Sequence, residues 1–219
     1  MRKELGADLV GIAPVQRFNA APEGFKPTDI FSEAKSVIAY AKRLPGGVFS
    51  SESPVPYTFA TSVTLQEVFK MTYELILRLE DNGVTAVPIP SEPYEHWDEN
   101  KREGRGMMSL KHMGYLAGLG VLGRNTLLIN DRYGNLITLG AVLVDIPLEG
   151  DPLAQYSSCG DSCEACIQNC PSGALDGITV DQKKCREKSQ CVTKDTLSIC
   201  VTSVARSVRI ETGLNNPFL

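Results

Sequence analysis

The chain has 219 residues, room for one large domain or for one medium and one small. With 42% apolar and 22% charged residues it lies within ordinary globular usage, which excludes wholesale disorder. A formal charge of −4, a pI near 5.3 and no Lys/Arg run longer than two residues argue against a dedicated nucleic-acid footprint.

No apolar stretch approaches the ~20 residues that a membrane helix needs. The opening MRKELGADLVGIAPV places an acid and a glycine where a signal peptide would carry its hydrophobic run, so a cytoplasmic protein without membrane attachment is expected.

In chain order, Asp8 to Ala13 and Ser36 to Ala41 are short, apolar and rich in β-branched residues, and read as buried strands. Pro14 and then Pro45-Gly46-Gly47 close them with turn chemistry. Ser50 to Pro56 reads as an exposed loop. Apolar residues at Leu65, Val68, Phe69, Ile76 and Leu79 predict an amphipathic helix over 64–80, ended by Asn82-Gly83.

Residues 84–90 (VTAVPIP) predict an edge strand, because proline cannot serve inside a ladder. The charged stretch 91–106, which holds the only tryptophan, Trp97, reads as a long surface loop. A helix follows over about 107–117, then a glycine-rich turn. Thr126 to Asn130 and Leu136 to Asp145 read as a hairpin around 131–135, and 146–158 as a linker.

The seven cysteines, Cys159, Cys163, Cys166, Cys170, Cys185, Cys191 and Cys200, all lie in the last third. An odd number without a secretory signal points to metal or redox chemistry rather than a disulfide framework. Their segregation marks a domain boundary near residue 150. The run C-x₃-C-x₂-C-x₃-C-P from Cys159 to Pro171 differs from a ferredoxin loop by one inserted residue. Such a loop brings thiolates to separate irons while its backbone N–H groups point at sulfur and tune the potential.

A second C-x₂-C-x₃-C-P is absent. The leading reading is therefore one [4Fe–4S] cluster, with Cys200 as first choice for the remote ligand. Two clusters, one with a non-cysteine ligand, come next, then zinc, then reduced structural cysteines.

Gly118-Leu-Gly120-Val-Leu-Gly123 spells the dinucleotide fingerprint, but a helix precedes it and a strand-like segment follows, the reverse of what that motif needs. The glycines instead signal a close backbone approach, to another element or to a bulky ligand. His96 and His112 are the only histidines; a lone helical histidine is more often structural. Met107, Met108 and Met113 read as core fillers, and Lys101, Arg102 and Arg105 as a modest positive loop.

Residues 109–152, with the block A-G-L-G-x-x-G-R-N-T-L-L-I, followed by C-x₃-C-x₂-C-x₃-C-P-S-G-A-L, resemble the epoxyqueuosine reductase-like iron–sulfur proteins. That family is related to the corrinoid-dependent reductive dehalogenases. ELGADLVGIAPVQRF and KSVIAYA resemble its N-terminal region. The resemblance implies an α+β fold: a nitroreductase/corrinoid-binder-like mixed-sheet domain over 1–150 and a small ferredoxin-like module over 151–219. It implies a base-off cobalamin between them, fed by the near cluster, with a flavin as second choice.

Position by position, Cys159, Cys163, Cys166 and Cys170 match the first cysteine loop, and Cys185 the isolated cysteine of the family's second cluster. Gly118, Gly120, Gly123, Arg124, Asn125 and Thr126 match the turn lining the corrinoid pocket. The family's proton-donating aspartate precedes the 107–117 helix; here that stretch offers Glu103, so Glu103 or His112 is the expected proton source.

The expected activity is an iron–sulfur oxidoreductase using an electron donor such as a ferredoxin or flavodoxin. The chain ends soon after the cluster module, without nucleic-acid-binding repeats; with the acidic pI, a small-molecule substrate is expected rather than tRNA. The rivals are a non-catalytic electron carrier or redox sensor, and a structural zinc protein.

Overall fold

The computed structural model describes residues 5–193 and 196–199. Its centre is a four-stranded sheet in the order β1 (Leu9–Pro14), β2 (Ser36–Arg43), β8 (Ile137–Val144), β3 (Ala86–Ile89). The two inner strands are the apolar runs 36–41 and 137–144, buried on both faces, which is why they lack a polar/apolar alternation. β3 lies at the edge, and Pro88 occupies it.

All three pairings are antiparallel, where a mixed sheet was expected. The chain re-enters the sheet at Ile137, opposite Arg43, so β8 begins where β2 ends.

The pleat divides the core in two. Ile38, Tyr40, Val142 and Val144 face α1 (Val55–Glu80), packing on Val68, Met71 and Leu75. Val37, Ala39, Ala41, Ala141 and Leu143 face the opposite side, against Met113 and Ala117 at α2 (Leu110–Leu116). The result is three layers: helix, sheet, helix.

α1 begins at Val55 rather than near residue 64, so part of the expected 50–56 loop is helical. Pro56 falls in the first turn, where its missing N–H leaves no bond unmade, and the Thr58 hydroxyl donates to the Pro54 carbonyl at 3.1 Å. Within the expected surface loop 91–106, β4 (His96–Asp98) and β5 (Glu103–Arg105) form a small hairpin.

The 126–130 and 136–145 segments do not pair with each other, contrary to expectation. β7 (Leu128–Ile129) pairs with β6 (Val121–Leu122), while β8 joins the main sheet. Asn130 explains the divergence: its side chain donates to the Leu119 carbonyl at 2.7 Å and accepts from the N–H groups of Arg132 and Tyr133, turning the chain.

Residues 146–158 run across the fold as a strap. Asp151 exchanges two hydrogen bonds with the backbone of Ile12, and the Leu148 N–H donates to Ser36 Oγ at 2.8 Å. Beyond the cysteine loop come α3 (Gln182–Ser189) and the paired strands β9 (Gln190–Thr193) and β10 (Thr196–Ile199). Cys191 falls in β9, and Cys200 lies outside the described residues. No helix among the described residues is long and apolar enough to cross a membrane.

Candidate functional site

α2 ends in a left-handed glycine. Gly118 has φ +77°, Leu119 N–H closes on the Gly114 carbonyl at 2.9 Å, and Arg17 Nη1 caps the Leu116 carbonyl at 2.7 Å. The close approaches that the turn's glycines allow are to protein. A Cβ on Gly118 would stand 2.1 Å from the Pro152 carbonyl oxygen, and one on Gly120 would stand 2.3 Å from that of Ile129. Gly123 packs on the Ile129 side chain in the same way.

The next three residues point to a site. Arg124 reaches the cysteine loop, Nη1 donating to the Cys163 carbonyl at 2.8 Å and Nη2 to that of Asp161 at 3.4 Å. Asn125 is only 3% exposed; its Oδ1 accepts from Leu127 N–H, while its Nδ2 has no hydrogen-bond partner among the described residues. A buried amide N–H left unpaired is costly, and is a mark of a missing ligand or water. Thr126, at φ +63°, turns its carbonyl to Lys111 Nζ at 2.8 Å.

The cysteine loop folds around one helical turn, Ala165–Gln168. Cys166 is buried against Ile129, with Ile167, Cys170 and Leu175 beside it. Burial and then the nearby Cys159 sulfur push the Cys166 thiol up, against the opposing pull of Arg124. Burial also pushes the Cys170 thiol up. The Ser172 hydroxyl and the N–H groups of Ser172, Ala174 and Leu175 outweigh it, so that thiol lies below its ordinary value. N–H groups aimed at a sulfur are what a thiolate ligand requires.

Cys170 and Cys185 both line a cavity of about 440 Å³, whereas Cys163 faces a separate polar hollow with Ser162 and Gln168. Among the described residues no three Cys, His, Asp or Glu side chains converge closely enough to hold a single ion. A cubane takes each thiolate on a different iron, so its ligands stand farther apart than those of a single ion.

The cavity lies between the 125–128 turn, the start of β8 and the cysteine loop, with Leu136, Ile137, Leu139 and Val180 as apolar wall. Its size and lining are those of an ordinary small-molecule site. Of the residues singled out from sequence, it brings together Asn125, Thr126, Cys170 and Cys185. Gly118, Gly120, Gly123, Glu103 and His112 are not in its lining.

His112 bonds Ser109 Oγ through Nδ1 at 2.7 Å. Burial, then the Lys111 charge, lower its pKa, which favours the neutral ring and makes it a weak proton source near pH 7. The sequence reading missed Lys111, a cavity residue half-removed from water whose pKa burial lowers. Its one signal was a cation next to the helix's apolar face.

No family model matches the chain. The chain is 43% identical over 211 residues to the epoxyqueuosine reductase of Staphylococcus aureus, covering 83% of this chain and 52% of that protein. It is 32% identical to the one from Listeria monocytogenes, over 69% of this chain and 38% of the relative. The chain thus spans about half or less of the curated relatives it matches.

Among solved structures, the epoxyqueuosine reductase of Streptococcus thermophilus superposes with TM-score 0.59 at 18% identity, over 84% of this chain and 54% of that one. An epoxyqueuosine reductase holding an epoxyqueuosine-modified tRNA stem loop gives 0.56 at 16%, over 88% and 56%. A reductive dehalogenase described for B12-dependent dehalogenation gives 0.63 at 14%, over 95% and 32%. At these identities the structural likenesses show the fold.

Proposed function

We propose, from the premise that the chain is a relative of the epoxyqueuosine reductases, that it is an iron–sulfur oxidoreductase of the cytoplasm. The cysteine loop is read as a ferredoxin-like module over 151–219, and residues 1–150 as the cofactor domain.

The observation that carries the reading is the apolar cavity shared by the 125–128 turn and the cysteine loop, lined in part by Asn125, whose buried amide nitrogen has no partner among the described residues. A carrier that only relays electrons has no use for such a space. The relatives' name and the tRNA-bound structure support an epoxide-bearing nucleoside as substrate class, in place of the small molecule expected from sequence.

Cys159, Cys163 and Cys166, with Cys170, Cys185 or Cys200 completing the set, would hold the iron. The cavity would take a ring system with peripheral oxygen acceptors, a description met by a corrinoid with its amides and, second, by a flavin. When bound, such groups supply single-electron reduction of the substrate.

The chain's own residues bind and orient. Asn125 Nδ2, turned toward the cavity, would donate to a ligand oxygen, Arg124 ties the cysteine loop to the turn, and the apolar wall would exclude water. Lys111 places a cation beside the Thr126 carbonyl, and a ferredoxin or flavodoxin would deliver the electrons.

Anaerobic reconstitution with iron and sulfide, then gel filtration with hydroxocobalamin or FMN, tests this. A brown chain with about four irons that retains one of the two is expected. Asn125→Asp, which keeps the acceptor for Leu127 and removes the donor, should weaken retention roughly tenfold, the value of one good hydrogen bond. A colourless chain that takes up no iron would overturn the reading.

Lys111 gives a second check. Burial lowers its pKa in the folded state, so the ammonium form is penalised below that pKa and the penalty is relieved as pH rises through it. Lys111 should therefore react with an acylating reagent at lower pH than an ordinary lysine, and a bound cavity ligand should protect it. Competitive labelling read by mass spectrometry would show both.

A further inference from the structure

The β4–β5 hairpin stands outside the cavity, yet α3 holds it with specific chemistry. The Gly104 N–H donates to Gln182 Oε1 at 3.0 Å, and Gln182 Nε2 donates to the Gly104 carbonyl at 3.2 Å, so one side-chain amide pairs with β5 as a neighbouring strand would.

One turn on, Arg186 donates from Nε to the Arg102 carbonyl at 2.8 Å. From Nη2 it donates to Gln182 Oε1 at 2.8 Å and to Tyr94 Oη at 3.2 Å. Its guanidinium also lies 5.3 Å from the Tyr94 ring centre and 4.9 Å from that of Trp97, and those rings stack on each other 6.0 Å apart. The absence of a side chain at Gly104 makes this fit: a Cβ there would come within 2.6 Å of the Tyr94 ring.

Gln182 and Arg186 form one stripe of α3, at a spacing of four. Cys185 and Lys188, at a spacing of three, form the adjoining stripe and line the cavity. We infer that Arg186 is a positioning residue: it fixes the hairpin that carries Glu103 to the same helix that presents Cys185 and Lys188 to the cavity. The inference rests on the proposed function only in giving the held hairpin a use in the reaction. Arginine is needed because its planar fork serves a carbonyl, an amide and two ring faces at once, and the lysine ammonium has no such plane.

The full ligand-free chain carries its own reporter, since Trp97 is the only tryptophan. In Arg186→Gln and Arg186→Lys, acrylamide quenching of Trp97 should rise about threefold, and tryptic cleavage after Lys101 or Arg102 should quicken about tenfold. The thermal midpoint of the far-ultraviolet signal should stay at the wild-type value. Lysine, which keeps the charge, should not rescue.

Gln182→Leu, which leaves Arg186 in place, should move both readouts in the same direction by less. Wild-type quenching and cleavage in Arg186→Gln would overturn the inference. So would rescue by lysine, or a hairpin that loosens only in step with global melting in all three variants. Because no cofactor is needed, the result stands apart from the iron and cofactor measurements that decide the reductase reading.

Discussion

Cys166→Ser is expected to empty the iron site, taking the reconstituted chain from about four irons to fewer than one. Serine is nearly the size of cysteine and keeps the packing against Ile129, so the fold should survive. The hydroxyl, unlike the thiolate, is a poor iron ligand at neutral pH. A variant that folds and melts like the parent but stays colourless separates a ligand from a core filler, the distinction that burial alone leaves open.

Cys159→Ser should behave alike, because the Cys159 and Cys166 sulfurs are close enough for one to raise the other's pKa. Cys185→Ser divides one cluster from two. With a single cluster held without it the iron stays near four, whereas loss of half of a larger iron content would place a second cluster at the cavity face that Cys170 and Cys185 share. Full iron in Cys166→Ser would sink the cluster assignment.

The parts of the fold that could be read from the chain were those whose physics is local. β2 and β8 are apolar on both faces because the sheet is covered on both, and Pro88 could sit only on an edge strand. The beginning of α1 was hidden by a Ser/Pro run that reads as loop, although proline suits a helix's first turn. The expected hairpin failed on Asn130, whose side-chain bond to Leu119 depends on a neighbour eleven residues away.

The site shows the same limit more sharply. The cysteine loop is a local motif and was visible. The cavity is assembled from Lys111, Asn125, Cys170 and Cys185, and no spacing rule connects them. Lys111 acquires its character only from burial beside Thr126. Likewise, the glycine turn announced that something comes close, but Pro152 and Ile129 as the partners were beyond sequence reasoning.

Gly118→Ala turns that last point into a measurement. Two penalties add at this position. A left-handed residue with a Cβ costs roughly 1–2 kcal/mol, and a Cβ 2.1 Å from the Pro152 carbonyl oxygen forces backbone to move. The sum should be about 3 kcal/mol, a fall in thermal midpoint of roughly 10 °C for a chain this long.

Gly83→Ala supplies the control. Its φ is +73°, nearly the same, yet nothing among the described residues lies within 4 Å of the added carbon, so it should show the backbone penalty alone, about 1 kcal/mol. Gly120→Ala has no left-handed strain but meets the Ile129 carbonyl at 2.3 Å, and should fall nearer Gly118→Ala. If these glycines existed instead only to admit a cofactor, Gly118→Ala would lose no more than the backbone penalty seen at Gly83, Gly120→Ala would melt like the parent, and both would weaken cofactor retention. Melting curves of the ligand-free variants therefore decide what the turn is for: a large loss at Gly118 and Gly120 with a small one at Gly83 means that the glycines seat the 146–158 strap and β7.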